Sequence, residues 1–407
     1  MSYFRVYINP RDDNGNLTDY QEVTNDVDFN GFSNISENLD NDEYNVGSFK
    51  FNSFRLNLTN EHGKYSDVET VASIFRYRRG GSKVKVNWQI QDYQSICGVA
   101  IAGKAKLTPE VTVFEGILND DATRLDIQSQ KISFSVIGID SIFNETETPY
   151  SSLTNGDLFS EALLAVLDQA KITEYLTVSA SNISVSLDLA IDDVSPFENT
   201  TVKESLDQLL FSSNSVLYIK NNVVYITSRD PQGSSVKTFY GQGSQEGIES
   251  IIKISNISTG RNKVFNYWTW ADTALVSQSS TSIEDNGLRK KEISFDAVTN
   301  SSKRQSILDS QKTEFSDLKQ EFSIDIELSY ENIEIDLLNV IKIDYSTPLI
   351  SSSPGSEVPI YGLGIYGEAS YPVGFYSILI DESQNFKVIG KSINTKNQVL
   401  TLNLREV

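Results

Sequence analysis

The sequence has very few of the residues that build reaction centres. Its 407 residues include one cysteine, Cys97, and one histidine, His62. A single cysteine cannot form an internal disulfide, so we expect the chain to fold without one, as in a reducing cytoplasm. A Ser-His-Asp triad would need His62, which lies in the turn-like segment TNEHGKY, and no serine lies in a Gly-x-Ser-x-Gly elbow. Two such residues also cannot close a zinc site, so the sequence predicts no metal and no catalytic residues.

Long apolar runs are missing as well. No stretch of about 18 apolar residues is present, which predicts no membrane span. The N-terminal MSYFRVYINP alternates like a strand and lacks the regions of a signal peptide, so we expect no secretory leader. A hydrophobic content of 39% and a mean hydropathy of −0.28 still allow packed cores. The length favours two to four domains.

Basic residues are outnumbered by acidic ones, 34 to 55, so the formal net charge is −21. This balance argues against a nucleic-acid coat, which needs a basic surface. Residues 1–49 are acidic, whereas residues 71–91 contain five basic residues and no acidic one. We predict that this basic segment contacts the acidic segment of a neighbouring subunit, and the alternative is a solvated face without a partner. The basic interface candidates are Arg76, Arg78, Arg79, Lys83 and Lys85.

Two aromatic features invite a ligand-binding interpretation. Trp268 and Trp270 are two residues apart in FNYWTW, which on a strand places both on one face. A core or interface role is favoured over sugar stacking, because large aromatic residues dominate both kinds of burial. The loop YGLGIYGEASYPVG contains Tyr361 and Tyr366, and we predict these tyrosines as further interface candidates. Its Gly-x-Gly-x-x-Gly motif lacks the strand and helix of a dinucleotide site, so no cofactor is predicted.

The clearest local pattern is a helix followed by a hairpin. Thr201 and Glu204 have capping-box spacing, and the next apolar residues recur on one helical face. Ser215–Lys220 and Val223–Ser228 then alternate like strands, joined by Asn221-Asn222. The apolar face of this helix consists of Val202, Leu206, Leu209 and Leu210.

The remaining periodicity predicts a mainly β fold with an α+β insert. We divide the chain into a β domain (1–150), a helix and helix-hairpin module (151–231) and a β domain with one charged helix (232–407). The predicted elements include a single strand over 49–58, a hairpin over 71–91 with one arm half-buried and its basic face wet, and strands over 111–118 and 131–140. They also include helices over 157–171 and 302–320, and strands over 375–380, 386–393 and 399–404.

The order of these elements resembles a known family. VFEGIL (113–118) followed by KISFSVIGIDSIF (131–143), the TSRDP that closes the hairpin, a later helix with Arg304 and the strand LLNVIKIDY are similar to the tail-hub or baseplate-hub proteins of bacteriophages. Type VI secretion spike proteins share that architecture. The resemblance implies two barrel-like or sandwich β domains with a helix-bearing insert, assembled as a ring around the tail axis.

The same resemblance implies a function. The chain would be a non-enzymatic virion protein that is assembled in the host cytoplasm and connects the tail tube to tail-tip or baseplate proteins. It would form a trimer, or else a hexamer, and DNA would only pass through its channel. Two alternatives stay open: a receptor- or carbohydrate-binding tail module that uses the aromatic residues above, and a glycoside hydrolase with an unrecognised carboxylate pair.

Overall fold

The structure is a computed structural model that describes residues 2–29, 34–39, 49–51, 53–66, 73–75, 80–90, 110–126, 128–229, 233–241, 250–258, 263–346, 379–380 and 384–407. Strands dominate these residues and form two curled, barrel-like sheets. The predicted mainly β fold is therefore confirmed.

The strands of the first half are β1 (Ser2–Asn9), β2 (Gln21–Glu22), β3 (Ile35–Leu39), β4 (Phe49–Phe51), β5 (Phe54–Thr59), β6 (Lys83–Ile90), β7 (Val111–Asp126), β8 (Lys131–Gly138), β9 (Ser215–Lys220) and β10 (Val223–Ser228). Those of the second half are β11 (Lys237–Tyr240), β12 (Ile251–Ser258), β13 (Tyr267–Trp270), β14 (Val276–Gln278), β15 (Lys290–Ile293), β16 (Glu321–Glu327), β17 (Val340–Ser346), β18 (Leu379–Ile380), β19 (Asn385–Asn394) and β20 (Val399–Glu406). The helices are α1 (Phe159–Leu167), α2 (Ala170–Thr173), α3 (Val202–Ser212), α4 (Ser280–Asn286), α5 (Ser301–Phe315) and α6 (Tyr330–Ile333).

The first sheet has the antiparallel order β2-β1-β6-β7-β8-β5 and is called the first barrel below. Alternate residues point inward, as the two-residue period of strands requires, and include Phe134 and Trp88. Residues 21–28 bring the two ends of this sheet together. Part of the segment pairs with β1 as β2, and the N–H of Asp28 then donates to the Asn57 carbonyl of β5 at 2.9 Å.

The second sheet follows the path β11-β17-β19-β20-β16-β12 and is called the second barrel. Its ends also meet, because the N–H of Ser250 donates to the Tyr240 carbonyl at 2.7 Å. Two strands from the N-terminal part of the chain join this sheet, since β3 pairs with β19 and β4 pairs with β3. The domain boundaries at residues 150 and 231 stay predictions. The pairing of β3 with β19 joins segments from either side of both boundaries.

The helix-hairpin module is confirmed in detail. The Thr201 hydroxyl accepts from the Glu204 N–H at 3.2 Å, and the Glu204 carboxylate accepts from the Thr201 N–H at 2.8 Å. The four apolar residues of the predicted face of α3 are buried. Asn221 and Asn222 have φ values of 51° and 61°, the left-handed conformations that a tight two-residue turn needs.

The two helices predicted over 157–171 and 302–320 have different bounds in the structure. The helix predicted over 157–171 is split into α1 and α2, because Asp168 and Gln169 leave the helical conformation. Helix α5 ends at Phe315 rather than at 320. Leu318 is therefore 44% exposed, and Phe322 lies on β16 instead of on the apolar face of the helix.

Three predicted strand assignments are also wrong. The strand predicted over 49–58 is two strands, because β4 belongs to the second barrel and β5 to the first. The strand predicted over 111–118 is too short, since β7 continues to Asp126. The predicted pairing of β6 within a hairpin over 71–91 is not observed, because β6 is hydrogen bonded to β1 on one side and to β7 on the other; most of residues 71–79 lie outside the described ranges.

The C-terminal strands are close to their predicted positions. β19 and β20 cover the strands predicted over 386–393 and 399–404, and they pair with each other. A separate sheet with the order β14-β13-β15 packs on α5. In the part of the chain that the structure describes, no helix has both the length and the apolar composition to cross a membrane.

Candidate functional site

Charged side chains are buried in three places where the helix-hairpin module or β3 meets the barrels. We call the group around Glu115 and Lys83 the first junction, and the group around Glu314 and Lys387 the second junction. The cavity beside Glu37 and Lys391 is called the cleft. Buried charges are costly unless they are paired and hydrogen bonded, so the partners of each group define what it can do.

The first junction fixes the hairpin turn to the first barrel. Glu115 on β7 is only 3% exposed, and its carboxylate accepts from the N–H of Asn222 at 2.9 Å. The ammonium group of Lys83 donates to the side-chain oxygen of Asn222 at 3.1 Å and to the Tyr175 carbonyl at 2.8 Å. One turn residue therefore bonds two buried side chains of opposite charge.

The pKa values of this pair show that its charges are incompletely compensated. Burial raises the pKa of Glu115, and the attraction of Lys83 and the N–H of Asn222 only partly offset that rise. Burial lowers the pKa of Lys83 although Glu115 opposes the change. For each group, removal from water costs more free energy than the attraction of its partner returns, so the two charges specify a contact more than they stabilise the fold.

Gly116, which follows Glu115, is required by the close packing of two strands. A Cβ atom on Gly116 would lie 2.4 Å from the backbone oxygen of Ile137 on β8 and 2.7 Å from the Phe114 ring. Only glycine allows so close an approach of two strands. The VFEGIL segment thus combines a buried acid with a close strand contact.

Arg11 links the first junction to the segment that follows α2. This side chain is buried, and its guanidinium contacts the carboxylate of Glu174, the hydroxyl of Tyr175 and the carbonyl of Gly81. The Tyr175 hydroxyl also donates to the Gly81 carbonyl at 2.9 Å. The turn before β6 and the segment after α2 are therefore linked through one cation.

The second junction is built around one acid with several cations. Glu314 on α5 lies 3.5 Å from the ammonium of Lys387, 3.4 Å from that of Lys319 and 3.7 Å from the guanidinium of Arg405. Lys387 and Arg405 are direct register partners on β19 and β20, an arrangement that is unfavourable for like charges. Glu314 compensates both. Burial opposes its ionisation, yet Lys387, Lys319, Arg405 and Arg229 together hold its pKa well below the usual range.

The same junction ties the hairpin to the second barrel. Lys387 donates to the Arg229 carbonyl, just after β10, at 2.9 Å. Gln311 of α5 donates to the Phe211 carbonyl of α3 at 2.6 Å. The module is therefore hydrogen bonded to both barrels.

The cleft is a cavity of about 520 Å³ between β7, β3, β9, α6 and β19. Lys391 of β19 is directly opposite Glu37 of β3 in the strand register, but its ammonium donates to the carbonyls of Ile333 and Ile335. Lys220 and Asp336 form an ion pair nearby. Charged side chains and apolar walls thus share this cavity.

The predicted basic face of β6 is not wet. Lys83, Asn87 and Gln89 are buried, because the 10–22 segment and the helix-hairpin module cover that side of the strand. Lys85 is half-buried, with its ammonium 4.4 Å from the centre of the Tyr20 ring. Lys83 is therefore committed to a contact within the chain, and the interface role of both lysines stays a prediction.

Trp268 and Trp270 lie on one face of β13, as predicted, and each is 1% exposed. Trp268 donates to the Phe265 carbonyl at 2.8 Å, and the Arg304 guanidinium lies 5.0 Å from the Trp270 ring centre. Both rings are core residues and offer no free face for a sugar or a neighbouring chain. The remaining predicted residues lie outside the described part of the chain; they are Arg76, Arg78, Arg79, Cys97, Tyr361 and Tyr366. The Gly-x-Gly-x-x-Gly motif beside the two tyrosines lies outside it as well.

Two strands at sheet ends carry features that discourage open-ended pairing. β12 has two register shifts against β16, and Ile252, 63% exposed, lies at the first of them. β15 carries two consecutive lysines, Lys290 and Lys291. Bulges and edge lysines are common devices that prevent edge-to-edge aggregation.

Sequence reasoning missed the three acids that organise these sites. Two of them have a local signal. Glu115 interrupts an apolar strand, and Glu314 lies seven residues after the buried Ile307, on the same helical face. Glu37 has none, because its partners come from strands far away in the sequence. Within the described ranges, no group of three or more histidine, cysteine, aspartate or glutamate side chains is placed to hold a metal ion.

Comparisons with known proteins identify the fold. No protein-family model and no curated protein matches the chain. Three solved structures are similar over nearly the full length, each with 12% sequence identity. They are a tail protein from Neisseria meningitidis MC58 (TM-score 0.53, 100% of this chain and 96% of that chain), a prophage MuSo2 43 kDa tail protein from Shewanella oneidensis (0.50, 100% and 97%) and the prophage tail protein gp18 from Listeria monocytogenes EGD-e (0.52, 98% and 94%).

The chain therefore has the fold of these tail proteins. The resemblance predicted from VFEGIL and the order of the following elements is confirmed at the level of the fold. At this identity the comparison concerns architecture alone, and the residues of the junctions are properties of this chain.

Proposed function

We propose that the protein is a structural component of a bacteriophage tail. The observation that carries this proposal is the likeness to three tail proteins over 98–100% of the chain. A likeness of that extent includes both barrels and the helix-hairpin module, so it concerns the whole arrangement rather than one common domain. The protein acts as part of the virion and is assembled in the host cytoplasm.

Within the tail, we assign it to the hub or baseplate ring that connects the tail tube to the tail tip. The helix-hairpin module is bonded to the first barrel through Glu115, to the second through Lys387 and to α5 through Gln311. Such a unit suits a part that transmits force between neighbours. The net charge of −21 suits a channel through which DNA passes without binding.

The assembly is a ring of copies of this chain, a trimer or else a hexamer. Light scattering of the purified protein, alone and mixed with its tail-tube protein, tests this proposal. We expect a discrete species whose mass is a multiple of 45.4 kDa, and rings by electron microscopy. A chain that stays monomeric at high concentration, with and without the tube protein, would count against the proposal.

The basic segment gives this experiment a matched pair of variants. If Arg76, Arg78 and Arg79 contact the acidic N-terminal segment of the next copy, their combined replacement by glutamate weakens the ring. Replacement of Lys253, Lys290 and Lys396 by glutamate changes the net charge equally and leaves the ring intact. Equal effects of both triple variants would show that only net charge matters.

Two competing functions have less support. A carbohydrate- or receptor-binding module would need aromatic faces, and Trp268 and Trp270 are buried in the core. The protein is not an enzyme in our proposal, so it turns over no cell-wall polysaccharide. A positive glycan array that Trp268→Ala abolishes, or measurable turnover by the wild type, would reverse these assignments.

A further inference from the structure

β3 is an added strand on the second barrel. It pairs with β19 through Gly390–Ile393, beyond the three residues through which β19 pairs with β17. The Asn403 side chain of β20 donates to the Asn38 side chain at 3.2 Å, across 365 residues of sequence. A Cβ atom on Gly390 would lie 2.2 Å from the Asn38 side-chain oxygen, so β3 approaches β19 closely.

One acid lies at the centre of this contact. Glu37 is half-buried and lines the cleft, and no hydrogen bond within the described residues satisfies its carboxylate. Lys391, directly opposite, donates instead to the backbone carbonyls of Ile333, the last residue of α6, and Ile335. The charge of Glu37 is therefore attracted by Lys391 without a direct bond.

The other charged and titratable groups around the cleft are mostly acidic. Asp336, before β17, is paired with Lys220 at the end of β9. On β4, Lys50 is the register partner of Asn38. The remaining titratable groups that line the cavity are Tyr218 of β9, Tyr330 of α6, Glu334 just after α6, Glu110 just before β7 and Glu115 of β7.

We propose that the Glu37 carboxyl group is a protonation-dependent latch that fixes β3 to the second barrel. The neutral carboxyl keeps β3 paired with β19. The ionised carboxylate favours release of β3, because water solvates that charge better than the cleft does.

The direction of the effect follows from linkage. Burial raises the pKa of Glu37 to about 7, Asp336 adds to the rise, and Lys391 and Lys220 oppose it. A released β3 would have the ordinary glutamate pKa of about 4.3. The paired state then binds more protons between these two values, so its population falls as the pH rises through this window and levels off above pH 7.

Amide hydrogen exchange at pH 5 and pH 8, corrected for the intrinsic exchange rate, tests the latch. We expect protection of the β3 amides over Ile35–Leu39 to fall on the order of 100-fold between these pH values. The amides of β8, in the first barrel, serve as the internal reference and change much less. Constant protection of β3 across this range would overturn the proposal.

Three variants assign the effect to Glu37. Glu37→Gln mimics the neutral acid and abolishes the pH step, whereas Glu327→Gln, an exposed acid on β16, retains it. Lys220→Met removes an attraction and shifts the step to higher pH. A step that is unchanged in Glu37→Gln would contradict the proposal, whatever the oligomeric state of the protein.

Discussion

Two buried glutamates of this protein differ in the direction of their pKa shift. Glu115 in the first junction and Glu314 in the second are equally hidden from water, yet burial raises the pKa of Glu115 while nearby cations depress that of Glu314. Glu115 has Lys83 and Lys85 nearby, whereas Glu314 has four cations. Burial alone therefore does not fix the charge of an acid; the number and distance of its partners do.

The comparison also separates two ways of holding the same module. The first junction relies on one turn residue, Asn222, which bonds both Glu115 and Lys83. The second relies on an acid that neutralises cations of two adjacent strands. We expect the second to be the stronger electrostatic attachment.

The largest effect should come from a substitution that spares both junctions. Leu206→Asp places a charge in the buried face of α3 and should cost more than about 4 kcal/mol of unfolding free energy. Urea unfolding at pH 7 measures it. Leu206→Met, which keeps the volume, should cost less than about 1.5 kcal/mol. Wild-type stability of the aspartate variant would mean that this face is not buried.

Glu314→Gln tests the second junction. The change removes the carboxylate that Lys387, Lys319 and Arg405 share, while Arg405 keeps its ion pair with Glu321, and should cost about 3 kcal/mol at pH 7. Glu327→Gln, at the exposed end of β16, is the matched control and should cost little. Similar losses for both variants would show that Glu314 contributes no special attachment.

The acid limb of the stability curve sharpens this test. Because the folded pKa of Glu314 is lowered, its contribution is complete above the unfolded value of about 4.3 and disappears as the pH falls through the folded value. The difference between the wild type and Glu314→Gln should therefore shrink below about pH 4. A constant difference down to pH 2 would contradict the assignment.

Gly116→Ala tests the backbone contact beside the first junction. The new methyl group would meet the Ile137 backbone oxygen at 2.4 Å, so the two strands must separate at a cost of about 2 kcal/mol. Thermal unfolding measures the loss. Gly233→Ala, where no atom lies within 4 Å of the new Cβ, provides the control.

The smallest effect should come from Glu115→Gln. Its amide oxygen can still accept from the Asn222 N–H, so the change at pH 7 should stay within about 1 kcal/mol. The wild type should lose stability relative to this variant as the pH rises above the ordinary glutamate value of about 4.3, because the folded pKa of Glu115 is raised. The opposite trend would mean that the pKa of Glu115, like that of Glu314, is lowered in the folded protein.

The sequence predicts what depends on neighbouring residues. Thr201 and Glu204 are three residues apart, and Asn221-Asn222 lies between two alternating segments, so both the cap and the turn could be predicted. The tail-protein fold was indicated by the order of such elements around VFEGIL. Cap and turn chemistry is local and therefore readable.

Long-range pairing could not be predicted in this way. Nothing in the composition of β3 indicates β19 as its partner, and the partner predicted for β6 was wrong because β1 and β7 occupy both edges of that strand. The burial of Lys83 depends on a module more than 90 residues away in the sequence. A two-residue period shows which face of a strand is apolar but not which strand lies beside it.

The pairing of β3 with β19 also orders events during biosynthesis. A ribosome makes β3 near the start of the chain and β19 near its end, so the early strand has no template while most of the polypeptide emerges. The first barrel can close beforehand, because its strands β1, β2 and β5–β8 are complete by Gly138. Maturation of the second barrel therefore waits until β19 has been synthesised, and a translation product that ends before Asn385 would leave β3 without a place to dock.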